Sequence, residues 1–135
     1  SGVAPASLAR RGSPPRLGLP MLRGEIRLTD LDPARASEAS KRRPAVIVSN
    51  DRANASAARL GRGVVTIVPV TGNLTQVYPF QVLLNAEETG LRVDSKAQGE
   101  QIRSVSVERL GPVIGRVPAH QMAQLDDALR IHLQL

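Results

Sequence analysis

The chain has 135 residues and a mass of 14.4 kDa, which is one domain by length and enough to bury a core. It has no Cys, no Trp, one Tyr and one Phe, which excludes disulfides, thiolate metal sites and a cysteine nucleophile, and argues against a surface of stacked aromatic platforms. Lys and Arg number 18 against 12 Asp and Glu, a formal charge of +6 carried almost wholly by Arg, and such a balance favours polyanionic partners such as RNA, DNA or an acidic protein tail.

Residues 1–20 are rich in Pro, Gly and Arg, contain no acid and show no apolar run of helical period. They read as a disordered extension, without the apolar core of a signal peptide, ahead of a domain over residues 21–135 that starts naturally at Met21. No apolar stretch is long enough to span a membrane. From there short β-rich runs dominate. GEIRLTDL at 24–31 alternates apolar and polar residues, the period of a half-buried strand. DPARASEASKRR at 32–43 is polar and reads as a long loop. PAVIVS at 44–49 is a β-branched run with Pro44 at its first position, where a strand tolerates it. Residues 50–62 are small and polar, with at most one helical turn. GVVTIVPV at 63–70 is a strand, 71–78 a loop, PFQVLLN at 79–85 a strand and AEETG a turn. QIRSVSV at 101–107 and PVIGRV at 112–117 add two short strands. After Pro118, an N1-type proline, Met122, Leu125, Leu129 and Leu133 share one helical face. The list predicts a mainly β (α+β) domain, a small twisted barrel of antiparallel strands covered by a C-terminal amphipathic helix.

Residue chemistry alone leaves several readings open. No H-x-x-x-H or H-E-x-x-H motif occurs, and the neighbours Asp126 and Asp127 point different ways on a helix, so no metal or other cofactor is expected. No Gly-rich phosphate loop precedes a helix. The two histidines, His120 and His132, have a side chain suited to proton transfer, but both read as ordinary helix histidines. Lys41, Arg42 and Arg43 form a basic run that is either a solvated loop or a track for a nucleic-acid backbone. Arg43 by itself is a strand-edge arginine and Thr71 a Thr-capped turn.

Six segments then come in a telling order: RGEI…DLDP at 23–33, Ser37–Glu38 followed by RPAVIVSND from Arg43, VPVT at 68–71, YPFQVLL at 78–84, EQIRSV at 100–105, and IGRV ahead of the amphipathic helix. Together, from about Arg23 to Leu135, they resemble the MazF/PemK toxins of bacterial toxin–antitoxin systems. Ala36 departs from that pattern, where Gly is common, and so do Gly72 and Asn73 after Thr71; these changes bear on target choice and loop mobility.

The resemblance implies an SH3-like barrel plus helix, a homodimer, and a cytoplasmic bacterial toxin that cleaves single-stranded RNA sequence-specifically without metal and inhibits growth. It also implies a MazE-like antitoxin whose disordered acidic tail covers the site. RNA supplies its own nucleophile: the 2′-hydroxyl attacks phosphorus, the 5′-oxygen leaves, and a 2′,3′-cyclic phosphate forms. By this match Arg43 is the lead catalytic residue, since a guanidinium donates two parallel hydrogen bonds to phosphoryl oxygens. Thr71 would bind the scissile phosphate or orient the 2′-hydroxyl. Glu38 would act as base, select bases or orient Arg43. Ser37, Lys41, Arg42 and Gln101 are the implied substrate contacts. CcdB-like toxins of the same fold bind DNA gyrase and cleave nothing; the Arg43–Thr71 pair favours the ribonuclease over that alternative. A plain basic RNA-binding barrel is disfavoured by the scarcity of aromatics.

Overall fold

A computed structural model describes residues 21–31 and 42–135. The alternating run at 24–31 becomes strand β1 (Glu25–Asp30). It pairs antiparallel with β2 (Arg42–Ile47), from Ile26 opposite Val46 to Asp30 opposite Arg42. That ladder carries β2 past Pro44, so Arg42 and Arg43, expected in the loop, are strand residues. Residues 51–60 correct the expectation of a single helical turn: they form the ten-residue helix α1 (Asp51–Leu60). Its N-cap Asn50 accepts a hydrogen bond from the Ala53 N–H, and Gly61 closes it in the left-handed region at φ 73°.

Strand β3 (Val64–Thr71) follows, then β4 (Gln81–Leu84), and a single turn α2 (Ala86–Thr89) capped by Asn85. Strand β5 (Ser95–Gln98), which the sequence reading passed over, leads through a 3-10 turn at Gly99–Gln101 into β6 (Arg103–Ser106). Strand β7 (Leu110–Arg116) and helix α3 (Ala119–Leu133) end the chain, with Pro118 at the N-cap, one position earlier than expected.

Among the described residues the seven strands form one antiparallel sheet in the order β4-β5-β3-β2-β1-β7, with β6 also on β3. Strand β3 is the hinge of this arrangement. One edge bonds β2; the other bonds β6 over Val64–Ile67 and then β5 at Val70–Thr71. The outer strands β4 and β7 are not paired to each other, so the expected barrel is an open sheet.

The strand period of two divides the core in two. Ile26, Val46, Val68 and Val70 face a cluster completed by β4, β5 and α3, with Leu84 and Leu125 fully buried in it. Ala45, Ile47, Val65 and Ile67 face the other side, where Ala57 of α1 covers them. A central sheet covered on both faces explains the β-branched runs that carry no alternation. Gly63 permits the close seating of α1, because a Cβ there would lie 2.6 Å from the Ala57 Cα. Among the described residues no helix is long and apolar enough to cross a membrane.

Candidate functional site

α1 covers only part of its sheet face, and the uncovered end of that face carries the candidate residues. Arg43 lies opposite Thr29 in the β1–β2 ladder. The β2–β3 register pairs Ala45 with Pro69; two residues further, the same register brings Arg43 level with Thr71. On its other side Thr71 pairs with Lys96 of β5. Directly opposed residues share a sheet face, so Thr29, Arg43, Thr71 and Lys96 form one row across four strands. Arg103 of β6 lies on the same face, paired with Ile67. Its guanidinium donates to the Leu31 carbonyl at 3.1 Å. This is where the chain leaves β1, and it returns at Arg42, across from Asp30. The connection between those two points is therefore rooted at the edge of the row.

Within the row, Arg43 is exposed and Thr71 half-buried. The Thr71 hydroxyl oxygen accepts from the Asn73 N–H at 3.2 Å, and Asn73 Oδ1 accepts from Thr75 N–H at 3.0 Å. Lys96 is 7% exposed, and its ammonium donates to the Gln76 carbonyl. On the reverse face a cavity of about 420 Å³ opens by Thr71 between Leu28, Pro44, Val70, Leu91 and Ile114.

The other sequence candidates fall in different places. Ser37, Glu38 and Lys41 lie outside the described residues, as does the extension 1–20. Arg42 is next to Arg43 on an extended strand, so the two side chains leave on opposite faces. The Arg42 guanidinium sits by Gly111, where a Cβ would lie 3.3 Å from Nη1. Arg42 and Arg43 are thus divided between the two faces of the strand. Gln101 is exposed in the turn between β5 and β6, alongside the stretch of β3 just before Thr71. His120 lies 3.6 Å from Glu88, and the His132 ring is 6.1 Å from that of Phe80; both belong to α3. Asp126 pairs with Arg23 and Asp127 with Arg130 at 2.9 Å, so the adjacent carboxylates do not converge.

Sequence reasoning missed Lys96 and Arg103. The tetrad Ser95–Gln98 is too polar to read as a strand, so nothing marked Lys96 as buried, and Arg103 stood in a run read only as strand. A third basic residue, Arg27, is engaged structurally: its Nε donates to Glu25 at 2.9 Å and its Nη1 to the Gly111 carbonyl at 3.0 Å, with both side chains buried.

Comparison with known proteins is consistent over nearly the whole described chain. The sequence model for PemK-like, MazF-like toxins of type II toxin–antitoxin systems matches residues 22–133. Endoribonuclease MazF9 of Mycobacterium tuberculosis is 68% identical over 115 residues, which is 85% of this chain and 98% of that protein. A solved endoribonuclease from a mycobacterial species superposes with a TM-score of 0.67 at 23% identity, over 86% of this chain and 93% of that one. A MazE–MazF structure from Deinococcus radiodurans gives 0.65 at 23% identity, over 84% and 95%. At such identity the two structures speak to the fold, an open antiparallel sheet with a C-terminal helix.

Proposed function

We infer, since this chain belongs to the family of PemK-like, MazF-like toxins of type II toxin–antitoxin systems, that it is the toxin of such a pair and an endoribonuclease. The near full-length match to a named endoribonuclease is the observation that carries this reading. The gyrase-binding alternative is not favoured by it.

The reaction proposed is cleavage of single-stranded RNA at a preferred sequence. The 2′-hydroxyl oxygen bonds to the adjacent phosphorus, the bond from phosphorus to the 5′-oxygen breaks, and a 2′,3′-cyclic phosphate and a 5′-hydroxyl result. One proton leaves the 2′-hydroxyl and one reaches the 5′-oxygen. Negative charge builds on the phosphoryl oxygens, and donors already in place for that charge are the main source of acceleration. Arg43 fits this role: it is exposed, keeps its charge at any working pH, and presents a fork of donors. Thr71, level with it on β3, bonds the scissile phosphate or the 2′-hydroxyl. Ser37, Glu38 and Lys41 belong to the connection rooted at the row's edge, and we assign phosphate contacts to Ser37 and Lys41 and proton acceptance to Glu38. Gln101 contacts a base or phosphate from its exposed turn.

The same basic face, with Arg43 and Arg103, suits the acidic tail of a MazE-like antitoxin, which would silence the site by covering it. A homodimer in the bacterial cytoplasm completes the reading.

The test is incubation of a long single-stranded RNA with antitoxin-free protein in EDTA, with ends mapped by primer extension. Discrete cuts with 5′-hydroxyl and cyclic-phosphate ends are expected. Intact RNA from protein with a cooperative melt would overturn the ribonuclease reading and direct attention to gyrase supercoiling.

A further inference from the structure

Residues 72–80 join β3 to β4 and run over the surface beside Thr71. Asn73, Thr75 and Gln76 in this segment are exposed polar side chains, able to bond base edges. Its two ends are fastened locally. The turn at Thr71–Thr75 closes on its own side chains. At the far end the Tyr78 N–H donates to Gln81 Oε1 at 3.1 Å, Gln81 Nε2 donates to Glu100 at 2.9 Å, and the Tyr78 and Phe80 rings stack at 5.3 Å. Between Thr75 and Tyr78, one hydrogen bond among the described residues ties the segment to the sheet, from the Lys96 ammonium to the Gln76 carbonyl.

That ammonium is unusual. Lys96 is 7% exposed, and no carboxylate pairs with it among the described residues. A buried ammonium is costly unless its donors are used, so a lysine on this row is a poor choice merely to fill space. It stands directly across from Thr71, and its bond reaches the part of the segment that no other hydrogen bond among the described residues ties to the sheet.

We propose that Lys96 is a positioning residue that fixes the 72–80 segment beside Thr71 and so sets which RNA sequence the site accepts. The proposal rests on the ribonuclease reading. A segment held in place meets each RNA with its polar groups already ordered. A freed segment must be ordered at every encounter, which weakens binding and blurs discrimination while leaving the reacting phosphate untouched.

The experiment compares wild type, Lys96→Met, which keeps the stem and removes the donor, and Lys96→Arg, which keeps a donor. Three readouts are taken: mapped cut sites on a long RNA, steady-state cleavage of a short oligonucleotide carrying the preferred site, and amide hydrogen exchange over 74–77. Lys96→Met is expected to cut a broader set of sites, to raise KM about tenfold with kcat within about threefold, and to exchange faster over 74–77. Lys96→Arg is expected to restore all three. An unchanged cut pattern, KM and exchange in a Lys96→Met protein with a cooperative melt would overturn the proposal. So would a fall in kcat at constant KM, which would put the ammonium on the reacting phosphate. If Lys96→Met does not melt cooperatively, Lys96→Gln replaces it under the same criteria. Wild type that fails to cut RNA defeats the ribonuclease reading instead, and the exchange data still report on the tether.

Discussion

Arg43 illustrates how little a residue's own surroundings need to change for it to matter. It is exposed on β2 and stands level with Thr71. Removing such a side chain is expected to cost the fold about 0.5 kcal/mol or less. If it stabilises charge on the scissile phosphate, its loss should slow cleavage by on the order of 10²- to 10³-fold. Thermal melts and single-turnover cleavage of Arg43→Ala measure both quantities. A folded variant that cuts at the wild-type rate removes Arg43 from the mechanism. Arg43 and Thr71 were legible in the sequence because each sits in a recognisable segment, RPAVIVSND and VPVT. Lys96 was not legible: a lysine in a polar tetrad is usually solvated, whereas here it is buried and its ammonium bonds the carbonyl of a residue twenty positions earlier.

Elements differ in how openly their sequences announce them. α3 was readable from its apolar face, and Leu125 at the centre of that face is fully buried against the core beneath β4 and β5. Leu125→Ala is expected to destabilise the protein by about 2–5 kcal/mol, the range for a buried leucine whose cavity does not collapse. A denaturant titration checks this, and a change well under 1 kcal/mol would mean that α3 is not seated as described. α1 was hidden for the opposite reason. Its buried residues are Asn54 and Ala57, so no large apolar side chain marks an inward face. What does mark it is the capping pair Asn50 and Gly61, and Asn54 buries itself by donating to the Ser49 carbonyl at 2.9 Å. Of the basic run, Arg42 and Arg43 leave β2 on opposite faces, since a strand turns consecutive side chains apart.

The whole molecule joins a doubly covered sheet to a basic, open-ended face. Its charge of +6 predicts association with RNA that weakens as salt rises. For single strands each phosphate contact contributes about 0.7 to the slope of log affinity against log salt. Contacts from Arg43 and Arg103 predict a slope of about −1.4. Binding of a non-cleavable RNA analogue, followed by fluorescence anisotropy across a salt series, measures it. A slope near zero would contradict recognition through the phosphate backbone.

The strand alternation at 24–31, the β-branched runs and the α3 face needed no tertiary information, because they follow from side-chain period and propensity. The family was equally plain, since it lies in the order of segments along the chain. Three-dimensional pairing alone decided that β3 serves two partners on one edge, that β4 and β7 stay unjoined, and that Arg43, Thr71 and Lys96 share a row. Register is a long-range property, set where Val46 meets Val68 and Val70 meets Ala97 in the core, and no local pattern encodes it.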